Sequence, residues 1–275
     1  MWKWLRLKTR MSSGSVFRFS FLLFLLLAPS PALSFGSDGH KIVAEIAHQN
    51  LSDEAKLWVK QVLPKGETLA WASTWADRIK RKKRYDWAKP LHYVNLPRDA
   101  VSYDKQRDCP EGDCVIAAIH RYKAVLLSSR TSLDQKREAL RFLTHFIGDI
   151  HQPLHAAFKD DRGGNGVEVN WFGKQKNLHW VWDTGLITKE KIYWKTYANQ
   201  LLQTIPAEDA KRWRQGASPE IWAVESLQLA KTKVYRFPSS KVLDDKYYRE
   251  SRIIIERQMQ KSGIRLAELL NRIAL

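Results

Sequence analysis

Ala139-Leu-Arg-Phe-Leu-Thr-His-Phe-Ile-Gly-Asp-Ile150 is the stretch on which the reading of this chain turns. Leu140, Leu143, Ile147 and Ile150 recur at helical spacing, so one stripe of the segment is apolar and faces a core. His145 and Asp149 are four residues apart on the same helix, which projects both side chains from one face, a turn apart. A lone pair of this kind is more often a surface charge pair or a capped core histidine than a pair of metal ligands. The weight therefore falls on what lies around it.

His155 follows just past Pro153, and His179 with Asp183 repeats the four-residue spacing. Asp77 and His92 sit on neighbouring segments, and His40 lies further towards the N-terminus. Imidazole and carboxylate are the usual ligands of an open, catalytic metal site, and two on one helix face can chelate one ion. That many in one short domain point to a metal cluster. His48, His120 and His151 fit no such spacing and read as ordinary helix or surface histidines. Elsewhere the pattern is helical. Ile42, Val43, Ile46 and Ala47 mark one apolar face, Ser52-Asp53-Glu54 reads as a cap and first turn, and Ile253 to Ile273 forms a long helix with Gly263 as a break. Val167 to Phe172, after Gly163-Gly-Asn-Gly166, reads as a strand or hairpin arm. The expected fold class is all-α, a single globular domain over 35–275 with at most a short β-hairpin.

Residues 1–34 read as a signal peptide. Lys3, Arg6, Lys8, Arg10 and Arg18 precede an apolar run from Phe19 to Ala28, too short to span a bilayer, and Ala32-Leu33-Ser34 fits a cleavage site. The alternative is an uncleaved anchor. Cleavage would make Phe35 the first mature residue and place the protein outside the cell or in the periplasm, with no stable membrane association. The formal charge of the whole chain is +17; without the leader it is still about +12, which favours polyanionic partners such as nucleic acid or anionic lipid headgroups. Cys109 and Cys114, in Asp-Cys-Pro-Glu-Gly-Asp-Cys, read as a disulfide-closed loop, since a zinc ribbon needs a second pair.

Phe35-Gly-Ser-Asp-Gly-His40, Trp75-Ala-Asp77, Leu91-His-Tyr93, Phe142 through His155, Gly163-Gly-Asn165, Asn177-Leu-His-Trp-Val-Trp-Asp183 and Trp222-Ala-Val-Glu-Ser226 resemble, in order, the S1/P1 nuclease family. The resemblance implies packed helices around a three-zinc cleft. Asp77, His92, His145 and Asp149 would hold one zinc and His155, His179 and Asp183 a second. His40, a bridging Asp149 and the backbone amine and carbonyl of Phe35 would hold the third. Three zincs would outweigh the three aspartates, leaving positive charge for a phosphodiester, and would acidify a bound water. Catalytic roles are implied for Asp77, Asp149 and Lys80, the last as a cation near the scissile phosphate.

Tyr93 matches a position on which a base stacks, and Asn95 one that is Asp in well-known members; Asn165 matches a polar group of the same pocket. Phe35 stands where the family typically has Trp. The implied activity is hydrolysis of single-stranded DNA and RNA to 5′-mononucleotides, with 3′-nucleotidase action, by a monomer. The rival is a zinc-dependent phospholipase C, whose first His lies further from the mature N-terminus and whose last ligand is Glu. His40, five residues after Phe35, and Asp183 favour the nuclease.

Overall fold

The computed structural model describes residues 35–216 and 218–275. The leader expected at 1–34 lies outside the described residues. The chain opens with α1 (Ser37–Gln49) and α2 (Asp53–Val62). Ser52 caps α2 as its spacing predicts, its hydroxyl accepting from the Ala55 amide at 3.1 Å. Two short helices, α3 (Leu69–Ala72) and α4 (Trp75–Ile79), then lead to α5 (Lys105–Asp108), α6 (Val115–Leu127) and α7 (Leu133–His151). A capping box closes the start of α7: Ser132 accepts from the Gln135 amide, and Gln135 reaches back to the Ser132 amide.

The predicted hairpin is present as β1 (Glu168–Trp171) and β2 (Lys174–Asn177). Helical turns follow, α8 (Leu178–Trp180) running through a π turn, Val181–Gly185, into α9 (Leu186–Thr188). The last third comprises α10 (Trp194–Gln203), α11 (Ala207–Arg214), α12 (Pro219–Leu229), the two-residue β3 (Val242–Leu243) and α13 (Asp245–Ala274). β3 pairs in parallel with β1, so the hairpin gains a third short strand in the order β2-β1-β3.

One apolar core runs between the helices. α7 packs on α6, α12 and α13, and α1 lies along α13 and α10. From Ala139 to His151 every residue of α7 except Arg141 is buried, so its metal-type side chains stand inside the protein. Gly263 does not break the last helix, which is continuous over 30 residues. It is a contact point instead. A Cβ there would fall 2.4 Å from Cγ2 of Ile46, so only glycine lets α13 approach α1 this closely. The Cys109–Cys114 disulfide is formed, with the two Cα atoms 5.8 Å apart.

Candidate metal centre

α7 supplies His145 and Asp149 a turn apart, both fully buried. The short turns before and after it bring the other donors. α4 presents Asp77, the turn Pro90–His92 ends on His92, and Pro153–Ala156 carries His155. The α8 and π-turn stretch supplies His179 and Asp183, and α1 supplies His40. Three sets of donor atoms each lie within 4.8 Å of one another: His40, His145 and Asp149; Asp77, His92 and His145; His155, His179 and Asp183. Every residue predicted as a side-chain ligand falls in one of them.

The spacing is that of a coordination shell. His92 Nδ1 is 3.0 Å from both His145 Nε2 and Asp149 Oδ2. His145 Nε2 is 3.2 Å from Asp149 Oδ2 and 3.6 Å from Asp77 Oδ1. The edge of a tetrahedron is 1.63 times its centre-to-vertex length, so bonds of ~2.0–2.1 Å give edges of ~3.3–3.4 Å. His92, His145 and Asp149 approach such edges, and Asp77 joins His92 and His145 in a set of its own. In the neighbouring set His179 Nε2 is 3.1 Å from Asp183 Oδ2, and His155 Nε2 is 3.6 Å from Asp183 Oδ1. That second separation is too long for a hydrogen bond. His40 Nε2 faces Asp149 Oδ1 at 3.4 Å, placing Asp149 between two sets.

Backbone carbonyls fix the tautomers. His145 Nδ1 donates to the Ser73 carbonyl at 2.6 Å, His155 Nδ1 to that of His92 at 2.7 Å and His179 Nδ1 to that of Gly163 at 2.6 Å. A carbonyl only accepts, so each Nδ1 carries a hydrogen and, in the neutral ring, the Nε2 lone pair is the one left for an ion. His92 is turned the other way, with Nδ1 in the cluster and a buried Nε2 that has no hydrogen-bond partner among the described residues. Gln152 is buried beside them, donating to Asp183 and accepting from the Leu154 amide.

The charges balance locally. Burial alone would raise the Asp149 and Asp183 carboxyls. Facing histidines reverse this, His145 and His155 holding Asp149 well below the usual range and His179 and His155 holding Asp183 at about 2. His155 is pulled down by burial but pushed up to about 9 by Asp149 and Asp183. For His92 burial wins, and it falls to about 4.

The remaining predicted residues lie close by. Phe35 is fully buried, its ring edge-on to His40 at 6.0 Å, and the Gly36 amide donates to the Asp183 carbonyl at 2.6 Å. Lys80 is one turn beyond Asp77 and pairs with it at 2.6 Å. Val94 and Leu96 donate to the carbonyls of His155 and Ala157, both at 2.8 Å, so residues 93–96 run extended beside the second set. Alternation then buries Val94 and Leu96 and turns Tyr93 and Asn95 together to the outer face. Asn165 donates through its side chain to the Arg162 carbonyl at 2.8 Å, an ordinary turn contact.

Sequence comparison completes the picture. A sequence profile described as S1/P1 Nuclease matches residues 35–275. The chain belongs to the S1/P1 nuclease family. It is 36% identical to Endonuclease 2 of Arabidopsis thaliana, covering 91% of this chain and 94% of that protein. It is 31% identical to Nuclease S1 of Aspergillus oryzae, over 87% of this chain and 92% of that one. Nuclease P1 of Penicillium citrinum is also 31% identical, over 87% and 97%. This member of the S1/P1 family is thus a metal-dependent hydrolase of phosphoric ester bonds.

Part of its site was invisible in the sequence. His151 is not a surface histidine: it is fully buried, donating through Nδ1 to the Ile147 carbonyl and accepting at Nε2 from Arg265. Arg265 in turn makes a two-pronged pair with Glu225 at 2.8 and 2.9 Å. Ser226, Gln258 and Ser262 donate to the carbonyls of Ile150, His151 and Ile147. This network grips the end of α7 from behind. Glu225 and Ser226 stand in a segment that carries the family resemblance, whereas Gln258, Ser262 and Arg265 stand in a helix marked only by its apolar stripe. His48 and His120 are exposed, as expected, the latter paired with Glu220.

Proposed function

We propose that this chain is an exported zinc enzyme that cuts single-stranded DNA and RNA to 5′-mononucleotides and removes 3′-phosphates. Asp77, His92, His145 and Asp149 would hold one zinc, His155, His179 and Asp183 a second, and His40 with Asp149 and the backbone of Phe35 a third. The observation that carries the reading is the convergence of the eight His and Asp donors into three adjoining buried sets, with His92, His145 and Asp149 at the separations of a coordination shell. Bound zinc supplies Lewis acidity at the phosphoryl oxygens and acidifies water.

The chain's own groups would position the substrate. Lys80 is held over the site by Asp77 and offsets negative charge developing on the phosphate. Tyr93, 40% exposed beside His92, offers a ring to an unpaired base, worth ~1–3 kcal/mol and indifferent to base identity. Asn95, on the same face, both donates and accepts and so reads the base edge differently from an Asp. Asn165 sits in the turn whose Gly163 carbonyl holds His179, and would border the same pocket. Removal of residues 1–34 would free the Phe35 amine, in a protein secreted or periplasmic and monomeric.

The phospholipase reading gains nothing further, since Asp183 rather than Glu closes the second set. One experiment separates them: digestion of single-stranded DNA, RNA and phosphatidylcholine side by side, with and without chelator, and metal counting by mass spectrometry. Chelator-sensitive release of 5′-mononucleotides and three zincs per chain are expected. Lipid hydrolysis without nucleic-acid cleavage, or robust turnover after exhaustive zinc removal, overturns the reading.

A further inference from the structure

Away from the metal donors, the loop between α2 and α3 borders a groove of about 910 Å³ closed on its other side by the start of α10. Its aromatic groups are disposed to be used. Trp71 is 56% and Tyr193 63% exposed, large fractions for such rings in a concave surface. Lys41 stands between two indoles, its Nζ 5.2 Å from the Trp71 ring centre and 5.8 Å from that of Trp194. Tyr193 and Trp194 are themselves 5.5 Å apart. The result is a row of rings with a cation inserted, held in place before any ligand arrives.

The charge of the groove is one-sided. Lys60, Lys65 and Lys195 line it, and among the described residues none has a carboxylate partner. Of the two acids on its walls, Glu67 is taken up by a two-pronged pair with Arg141 and Glu45 by a hydrogen bond to Gln49. Open rings flanked by unpaired cations suit a polyanion whose units carry flat faces. A volume in the range of small-ligand pockets, ~300–1,000 Å³, limits the occupant to a short stretch of it.

We propose that this groove is a second binding site for single-stranded nucleic acid, separate from the metal centre, that holds a distant part of the strand being cut. The proposal rests on the nuclease reading above. Reach is no obstacle. A domain of this length has a radius of gyration near ~18 Å, and a 30-nucleotide strand spans about 100 Å at ~3.4 Å per nucleotide. α3 joins the two places directly, since Trp71 lies in it and the carbonyl of Ser73, just beyond its end, positions His145.

The test uses the zinc-loaded enzyme, wild type against Trp71→Ala with Tyr193→Ala, and against Lys60→Gln, Lys65→Gln and Lys195→Gln. Two quantities are read: turnover of a thymidine dinucleotide, and anisotropy of a labelled 30-nucleotide phosphorothioate thymidylate. Both variants should bind the 30-mer ~10-fold more weakly and turn over the dinucleotide as wild type does. The lysine variant should also lower the slope of log affinity against log salt by ~2, at ~0.7 per phosphate released. Unchanged 30-mer affinity in both variants overturns the second site. Loss of dinucleotide turnover alongside weaker binding overturns it too, because the groove would then be part of the first site. A wild type that never cleaves the dinucleotide refutes the nuclease reading instead, and the binding comparison still decides the groove.

Discussion

Gly148 precedes Asp149 on α7, and a Cβ built on it falls 2.7 Å from His40 Nδ1 and 2.9 Å from His40 Cε1. Neither atom has room to give way, because the His40 ring is stacked 3.8 Å from that of His145. Gly148→Ala should therefore push His40 out of its set while leaving the other donors in place. The expected outcome is loss of one metal per chain, counted by native mass spectrometry, and a fall in nuclease rate of at least ~10-fold, since one mispositioned ligand shell is worth 10–100-fold. A variant with its full metal complement and normal rate would refute this account of His40. Asp149 and His151 give a second contrast two residues apart. Asp149→Asn should strip metal and activity, because its oxygens face donors of more than one set. His151→Ala should keep metal and lower stability by about 1–3 kcal/mol, through the buried hydrogen bond lost to Arg265, which keeps its pair with Glu225. Equal metal loss in both would contradict the assignment.

At the scale of elements, α7 was readable because periodicity and ligand spacing coincide in it: the apolar stripe says helix and the His–Asp pair says which face matters. The hairpin was readable from its glycines. β3 was not, since two residues carry no periodicity and form a strand only by lying against β1. Gly263 misled for a related reason. Propensity marks glycine as a helix breaker, whereas α13 keeps it for the approach of Ile46. The carbonyls of Ser73, His92 and Gly163, and the Arg265–Glu225 pair behind α7, could not be read at all. They join residues far apart in the chain, and a carbonyl leaves no mark on side-chain pattern. Arg265→Met tests the outer layer. With Glu225 left to Lys261 among the described residues and His151 losing its donor, thermal stability should fall, with metal affinity dropping by ~10-fold through the loosened end of α7. Restoration by Arg265→Lys should be incomplete, because one ammonium cannot make the two-pronged pair. Unaltered affinity in Arg265→Met would confine the network to stability.

For the whole molecule, acid and metal compete for one cluster. Without metal, His155 is held up at about 9 by Asp149 and Asp183 against the pull of burial, so it is protonated at neutral pH. An ion entering its set must displace that proton. The sign follows: below about pH 9 apparent affinity should fall as pH falls, ~10-fold per unit for each proton displaced. Titration calorimetry in buffers of different ionisation enthalpy should find at least about one proton released at pH 7 as the His155 set takes its ion. No buffer dependence would mean that His155 is already neutral there.

The His92 carbonyl has a further consequence. His92 offers its ring to one set of donors while its backbone oxygen grips His155 of the next. Filling one position stiffens the ligand of its neighbour, and vacating it lets both relax. Chains with only one of these two positions filled should thus be scarce, with both filled or both empty dominating at every chelator concentration. Inactivation would then proceed molecule by molecule, as an abrupt loss of competent enzymes rather than a gradual weakening of each.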